Sequence, residues 1–190
     1  NTPQNLKFKF FRILFFRGLF RYTNLMVIAS RLIKIYVEIG LPKLFTMNFF
    51  SKFLPKSFVF KQYLIPNFSG ESFKSKHAGE IILPFFEKSL VKNNSENRKR
   101  TVRVGMFSGC IMDVSEARIH ESTLILLRNL GCEVVIPRNQ VCCGALHVHN
   151  GDRKTAQELA IKNLEVFEYD QLDGIITNAA GCGAQLKEYH

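Results

Sequence analysis

Three short apolar runs, TVRVGMF (101–107), EVVIP (133–137) and DGIITN (173–178), are separated by two stretches with helical period, DVSEARIHESTLILLRNLG (113–131) and DRKTAQELAIKNLEVFEY (152–169). Strands spaced by whole helices return in the same direction through right-handed crossovers. The expected fold of residues 101–190 is therefore α/β, a Rossmann-like parallel sheet with flanking helices. Asp113 or Ser115 is the expected cap of the first helix and Gly131 its stop. A last helix is expected to begin near Cys182.

This topology sorts the five cysteines. Cys110 follows the first strand, Cys142 and Cys143 the second, and Cys182 the third. All four then lie beyond the carboxyl ends of parallel strands, the rim where open α/β sheets place ligands and where helix N-termini favour thiolates. Cys132 precedes its strand and is expected at the opposite edge, in a structural role.

The segment NQVCCGALHVHNGD (139–152) sharpens the point. A bond between neighbouring cysteines closes a strained small ring, because disulfide geometry wants Cα atoms farther apart than one peptide unit comfortably allows. Adjacent thiols beside Gly144, with Gly109, Gly181 and Gly183 next to the other two cysteines, suit backbone that turns tightly around a bulky inorganic group. Four thiolates suit either a tetrahedral zinc or an iron–sulfur cluster. The adjacent pair favours the cluster, since two splayed neighbours serve different irons more easily than they chelate one ion. His147 and His149 are near enough in sequence to ligate or to hydrogen-bond to sulfur, although loop histidines bonded to backbone explain them equally; His120 reads as structural.

The first hundred residues have another character. They carry 18 Lys/Arg against 5 Asp/Glu and sixteen of the eighteen phenylalanines, whereas residues 101–190 carry 8 against 11 and all five cysteines. The division is a basic, Phe-rich, mainly helical connector (1–100) and a cysteine-rich α/β region (101–190), joined by the polar stretch 91–101. Leu14, Gly18, Tyr22 and Leu25 fall on one expected helical side, with Arg12, Arg17, Arg21, Arg31 and Lys34 along the others, as far as Gly40-Leu41-Pro42. Prolines at 42, 55 and 66 then divide the chain into short pieces. Such a stretch suits an anionic membrane surface or the face of a partner subunit. Its charge accompanies no nucleic-acid-binding module, so no nucleic-acid partner is expected.

The longest apolar run without a charge in the opening segment, Tyr22 to Ser30, is far short of the ~20 residues a membrane span requires. An odd number of cysteines gathered in one region fits a reducing compartment with a metal or redox site, and the cytoplasm is expected.

The stretches FSGCIMDV, NQVCCGALHVHNGD and NAAGCGAQLKEYH together resemble the CCG cysteine-rich domain, in particular as it occurs in iron–sulfur subunits of glycolate oxidase. The resemblance covers residues 101–190, and more weakly the helical connector. It implies an iron–sulfur cluster of 4Fe–4S type at Cys110, Cys142, Cys143 and Cys182. It also implies partner subunits carrying flavin, oxidation of glycolate to glyoxylate, and electrons passed towards a quinone; with the basic stretch on an anionic surface, the place expected for this is the cytoplasm or the inner face of the plasma membrane.

The terminal Cys-x-x-Cys of that pattern reads Cys182-Gly183-Ala184-Gln185. Ferredoxin-type cysteine runs and a second CCG repeat are missing from these residues, so the sequence reads as an internal part of a longer subunit, not catalytic alone. Two alternatives stand beside the glycolate reading: a lactate-utilisation or heterodisulfide-reductase-type subunit, and a scaffold binding zinc or no metal.

Overall fold

The computed structural model describes residues 18–47, 52–65, 68, 70–85, 101–168 and 172–189. Leu14, Arg12, Arg17 and Pro66, and the expected linker apart from Thr101, lie outside them. The described elements are α1 (Thr23–Glu38), α2 (Leu41–Thr46), α3 (Lys56–Tyr63), α4 (Phe73–His77), β1 (Ile81–Ile82), β2 (Arg103–Met106), α5 (Ile111–Ser115), α6 (Ala117–Asn129), β3 (Glu133–Val135), α7 (Ala145–His149), α8 (Arg153–Glu168), β4 (Gly174–Ile176) and α9 (Ala180–Lys187).

The strands β3, β2 and β4 are parallel and lie in that order, so the fold is the α/β arrangement that strand and helix alternation requires. One strand comes from outside that alternation. Ile81 and Ile82 of β1 pair antiparallel with Val135 and Val134 of β3, making the sheet mixed and four-stranded.

Alternation along β2 divides the core between two faces. Val104 and Met106 join Val134, Ile136, Ala117, Leu124 and Leu127 beneath α6. Phe107 turns the other way, against Phe167 of α8, and a side chain at Gly105 would collide with Leu172 and Phe167. Phe73 of α4 is buried in the first cluster, its ring centre 5.2 Å from that of His120. Complete burial of such a ring contributes roughly 1.5–3 kcal/mol. Residues 72–82 thus pack into the same unit as the cysteine-rich region.

Two local expectations are corrected. The stretch 113–131 is not one helix capped by Asp113 or Ser115. It breaks at Glu116 (φ −128°, ψ 37°), and Asp113 lies buried inside α5. Its carboxylate is committed elsewhere, accepting from the Ser72 hydroxyl (2.5 Å) and from the Lys74 backbone N–H (2.7 Å). Gly131 does end α6, in the left-handed conformation at φ 81°.

The second correction concerns α1. Tyr22 and Leu25, assigned to its apolar side, are exposed, while Phe20, Met26 and Ser30 are buried. The helix begins only at Thr23, so Gly18 and Tyr22 are not on its wheel. Its inward side is chosen by what it meets, the edge of the α/β unit, where Arg21 also pairs with Glu158 at 2.9 Å. The short pieces after the first two prolines are as expected, with Pro42 in the first turn of α2 and Pro55 just before α3. Among the described residues no helix is long and apolar enough to cross a membrane.

Candidate metal centre

Each of the four rim cysteines is delivered by a strand and held at or near the start of the next helix. Cys110 is the residue before α5, Cys142 and Cys143 immediately precede the Gly144 cap of α7, and Cys182 lies in the first turn of α9. All are free thiols. The Sγ atoms of Cys110 and Cys142 are 3.3 Å apart, as are those of Cys143 and Cys182. These are hydrogen-bonding distances, far longer than a disulfide bond.

Cys142 and Cys143 are chain neighbours, one belonging to each pair, so the two pairs meet at this peptide. The hydrogen bond with Cys142 holds Cys110 below its ordinary thiol value, helped by the backbone N–H of Ile111. Cys143, beside Cys142 and hydrogen-bonded with Cys182 and the Ala145 N–H, is pulled down to about 3. Cys142 and Cys182 are pushed up by their sulfur partners and by burial.

The rim is dry. Cys142 is 0 % exposed, and Phe20 and Met26 from the basic region pack with Val114 and Leu159 over Cys110 and Cys142. Backbone approach needs glycine at two points. Gly109 (φ 75°) carries the chain past Cys182, whose sulfur would lie 3.4 Å from an added Cβ. A Cβ added at Gly144 (φ 87°) would lie 3.2 Å from the Ala156 backbone, and the Gly144 N–H points at the Cys142 sulfur, its nitrogen 3.5 Å away. A side chain at either position would be strained by its φ alone.

Several residues that hold this arrangement were not singled out from sequence. Asn163 of α8, buried, accepts from the Val141 N–H (2.9 Å) and donates to the Cys142 carbonyl (3.2 Å) and the Tyr189 hydroxyl (3.2 Å). Tyr189 in turn donates to the Cys143 carbonyl at 2.7 Å. Together they clamp the cysteine pair by its backbone. Gln140 is buried just before the pair: its amide oxygen accepts from the Ser108 N–H, and its NH2 donates to the carbonyls of Met106 and Pro137. Asn163 had a readable signal, an amide on the buried stripe Ala156, Leu159, Asn163, Phe167. Tyr189 and Gln140 had none.

Cys132 lies away from this rim, against the core beneath α6. His147 is buried in α7 and His149 is exposed at its end, so both are helical residues and not loop residues. His120 packs between Phe73 and Asn178, with its Nδ1 3.0 Å from the Asn178 amide nitrogen. Gln185 follows Cys182 by one turn of α9 and is half-buried.

The donor set fits a soft metal or cluster: four cysteines in two close pairs, three of them buried, with a backbone N–H aimed at sulfur. A single tetrahedral ion with metal–sulfur bonds near 2.3 Å sets its sulfurs about 3.8 Å apart, so each pair must open by about half an ångström to chelate. Among the described residues no three His, Cys, Asp or Glu side chains already surround one point closely enough to hold an ion.

Comparison with known proteins follows the same residues. Residues 104–187 match the family described as CCG: Cysteine-rich domain. The "Probable glycolate oxidase iron-sulfur subunit" of Bacillus subtilis (strain 168) is 36% identical over 189 residues, all of this chain and 40% of the relative. A subunit of the fumarate reductase (CoM/CoB) of Methanothermobacter marburgensis is 38% identical over 86 residues, 45% of this chain and 17% of that protein. "Lactate utilization protein A" of Geobacillus sp. (strain WCH70) is 33% identical over 88 residues, 46% and 36% of the two chains. This chain thus spans well under half the length of these relatives. No solved structure matches it.

Proposed function

Residues 104–187 are a cysteine-rich domain of the CCG family, and from that premise we propose that the chain is part of an iron–sulfur electron-transfer subunit, with the cluster held by Cys110, Cys142, Cys143 and Cys182. The observation that carries this reading is the convergence of four strand-end thiols at one rim as two close sulfur pairs, three of the four cysteines being buried. When bound, an iron–sulfur cluster supplies one-electron storage. The protein's own part is to bring two pairs of sulfurs together, to aim N–H groups at sulfur, and to cover Cys110 and Cys142 with Phe20 and Met26. Asn163 and Tyr189 hold the cysteine pair in register. Two close pairs suit a polynuclear group better than one small ion, because each pair addresses a different side of it.

The finer reading follows the relative that matches across the whole chain. Flavin-containing partner subunits oxidise glycolate to glyoxylate, and this subunit carries the electrons towards a quinone. The complex works in the cytoplasm, peripherally at the inner face of the plasma membrane. Outward-facing Phe53, Phe60, Tyr63 and Leu64, interspersed with Lys56 and Lys61, support that attachment. A zinc-holding scaffold is the second reading, favoured by the closeness of the 3.3 Å pairs to the spacing of a zinc thiolate site.

Anaerobic reconstitution of the full-length subunit, with iron, sulfide and zinc in competition, separates the two. Iron and sulfide bound together, with a paramagnetic signal on reduction, are expected from elemental analysis and electron paramagnetic resonance. Zinc bound stoichiometrically, without sulfide, would overturn the electron-transfer reading.

A further inference from the structure

Bound to the loop that leads into Cys142 is a cation that the CCG segment does not supply. Lys74, in α4, is 9 % exposed, and among the described residues no other lysine or arginine is buried. Its Nζ donates to the Gln140 carbonyl at 3.0 Å, two residues before Cys142. Its backbone N–H is bound by Asp113, three residues after Cys110, and Ser72 ties α4 to the same carboxylate. Lys74 is therefore anchored to both segments that deliver the first sulfur pair, by its side chain to the one before Cys142 and by its backbone to the one after Cys110. Burial pushes its ammonium down, while the Asp113 carboxylate and the Cys110 sulfur hold it up.

A buried ammonium with one carbonyl partner carries a desolvation cost. Where such an ion serves only packing, an apolar residue of similar shape is neutral or stabilising. Here the compensating anions are the carboxylate of Asp113 and the sulfur side of the rim. We propose that Lys74 is the charge-compensating residue of the thiolate-bound centre, placed behind Cys110 and the Cys142 loop so that negative charge added at the sulfurs meets a fixed positive charge in a dry setting. It is a positioning and tuning residue that touches no reacting atom. This inference rests on the reading that the four cysteines hold the centre.

The test uses the full-length subunit, with the centre's signal identified as the one that Cys143→Ser removes. Lys74→Met, which keeps length and loses charge, should load iron and sulfide yet disfavour the reduced state at least tenfold, a fall in midpoint of about 59 mV for one electron. Lys74→Arg should stay near wild type. A Lys74→Met midpoint equal to wild type at full iron content overturns the proposal. Should that variant not fold, Asp113→Asn replaces it: the ammonium remains without its nearest carboxylate, the midpoint is expected to rise, and an unchanged midpoint overturns the idea. Should the wild type take up no iron or sulfide, the cluster reading fails by itself. Cobalt(II) then serves as probe, its thiolate charge-transfer absorption expected to show tenfold weaker binding in Lys74→Met; equal binding, or no cobalt bound by wild type, overturns the role of Lys74.

Discussion

The helices α6 and α1 are both amphipathic, but they use their apolar sides differently. In α6, Ala117, His120, Leu124 and Leu127 face the sheet. Along α1 and into its C-cap, Leu25, Ile28, Leu32, Ile35 and Ile39 recur at alternate spacings of three and four and face outward, while Met26 and Ser30 turn inward. The inward stripe of α6 is thus covered by the sheet, while its Ile119, Ile125 and Leu126 stay exposed. The basic region covers the sulfur rim with a narrow strip, Phe20 and Met26, and leaves its broader stripe for something else. Periodicity marks that a helix has an apolar side; the neighbour it meets decides which residues are buried.

Substitutions at the rim should give the largest effect. Cys143→Ser should abolish iron retention in the reconstituted full-length subunit, whereas Cys132→Ser, away from the rim in the core beneath α6, should retain nearly all of it. Equal loss from both would mean that folding, not ligation, is being measured.

Next in size is Asn163→Ala, which orphans the Val141 N–H and the Cys142 carbonyl. Buried groups left without partners cost about 1–3 kcal/mol each, so a loss of about 3 kcal/mol in denaturant unfolding is expected, with reduced iron loading. A stability change under 1 kcal/mol would show that water replaces the amide and that the clamp is dispensable.

The contrast between the two sides of α1 is tested directly by Met26→Ala and Leu32→Ala. The first should cost about 2 kcal/mol and speed alkylation of the rim thiols, because it opens the cover over Cys110 and Cys142. The second should stay within about 0.5 kcal/mol, since Leu32 is exposed. Similar costs for both would erase the distinction between cover and free stripe.

The smallest effect is a pH dependence from His120. Burial lowers its pKa, with Asp113 and the Ser108 backbone opposing. A histidine whose folded pKa is depressed adds stability that is complete above the unfolded value near 6.5 and is lost as pH falls through the folded value, because the unfolded chain binds the proton more readily. Unfolding midpoints measured from pH 7.5 down to 5 should therefore fall, and His120→Gln should flatten the decline. An unaltered slope in that variant would assign the pH dependence to other groups.

The strand and helix alternation of residues 101–190 was legible because local pattern and tertiary environment agree there. Val104 and Met106 of β2 and Val134 of β3 pack beneath α6, and Gly131 stops that helix where a left-handed residue is needed. The break at Glu116 was not legible, since the helical period runs across it and only the commitment of Asp113 to Ser72 and Lys74 explains the two-part helix.

By itself, the order of residues determined the parallel core of the sheet and, through it, the meeting of Cys110, Cys142, Cys143 and Cys182. A cysteine that follows a parallel strand has one rim to occupy, and one that precedes a strand, as Cys132 does, has the other. Only the tertiary structure decided what surrounds the sulfurs: the β1 strand against β3, the Phe20 and Met26 cover, the Asn163 and Tyr189 clamp, and Lys74 bound to the loop that leads into Cys142. Those groups come from segments whose separation in sequence from the cysteines carries no period, and burial of a polar side chain is a property of the partners folding provides.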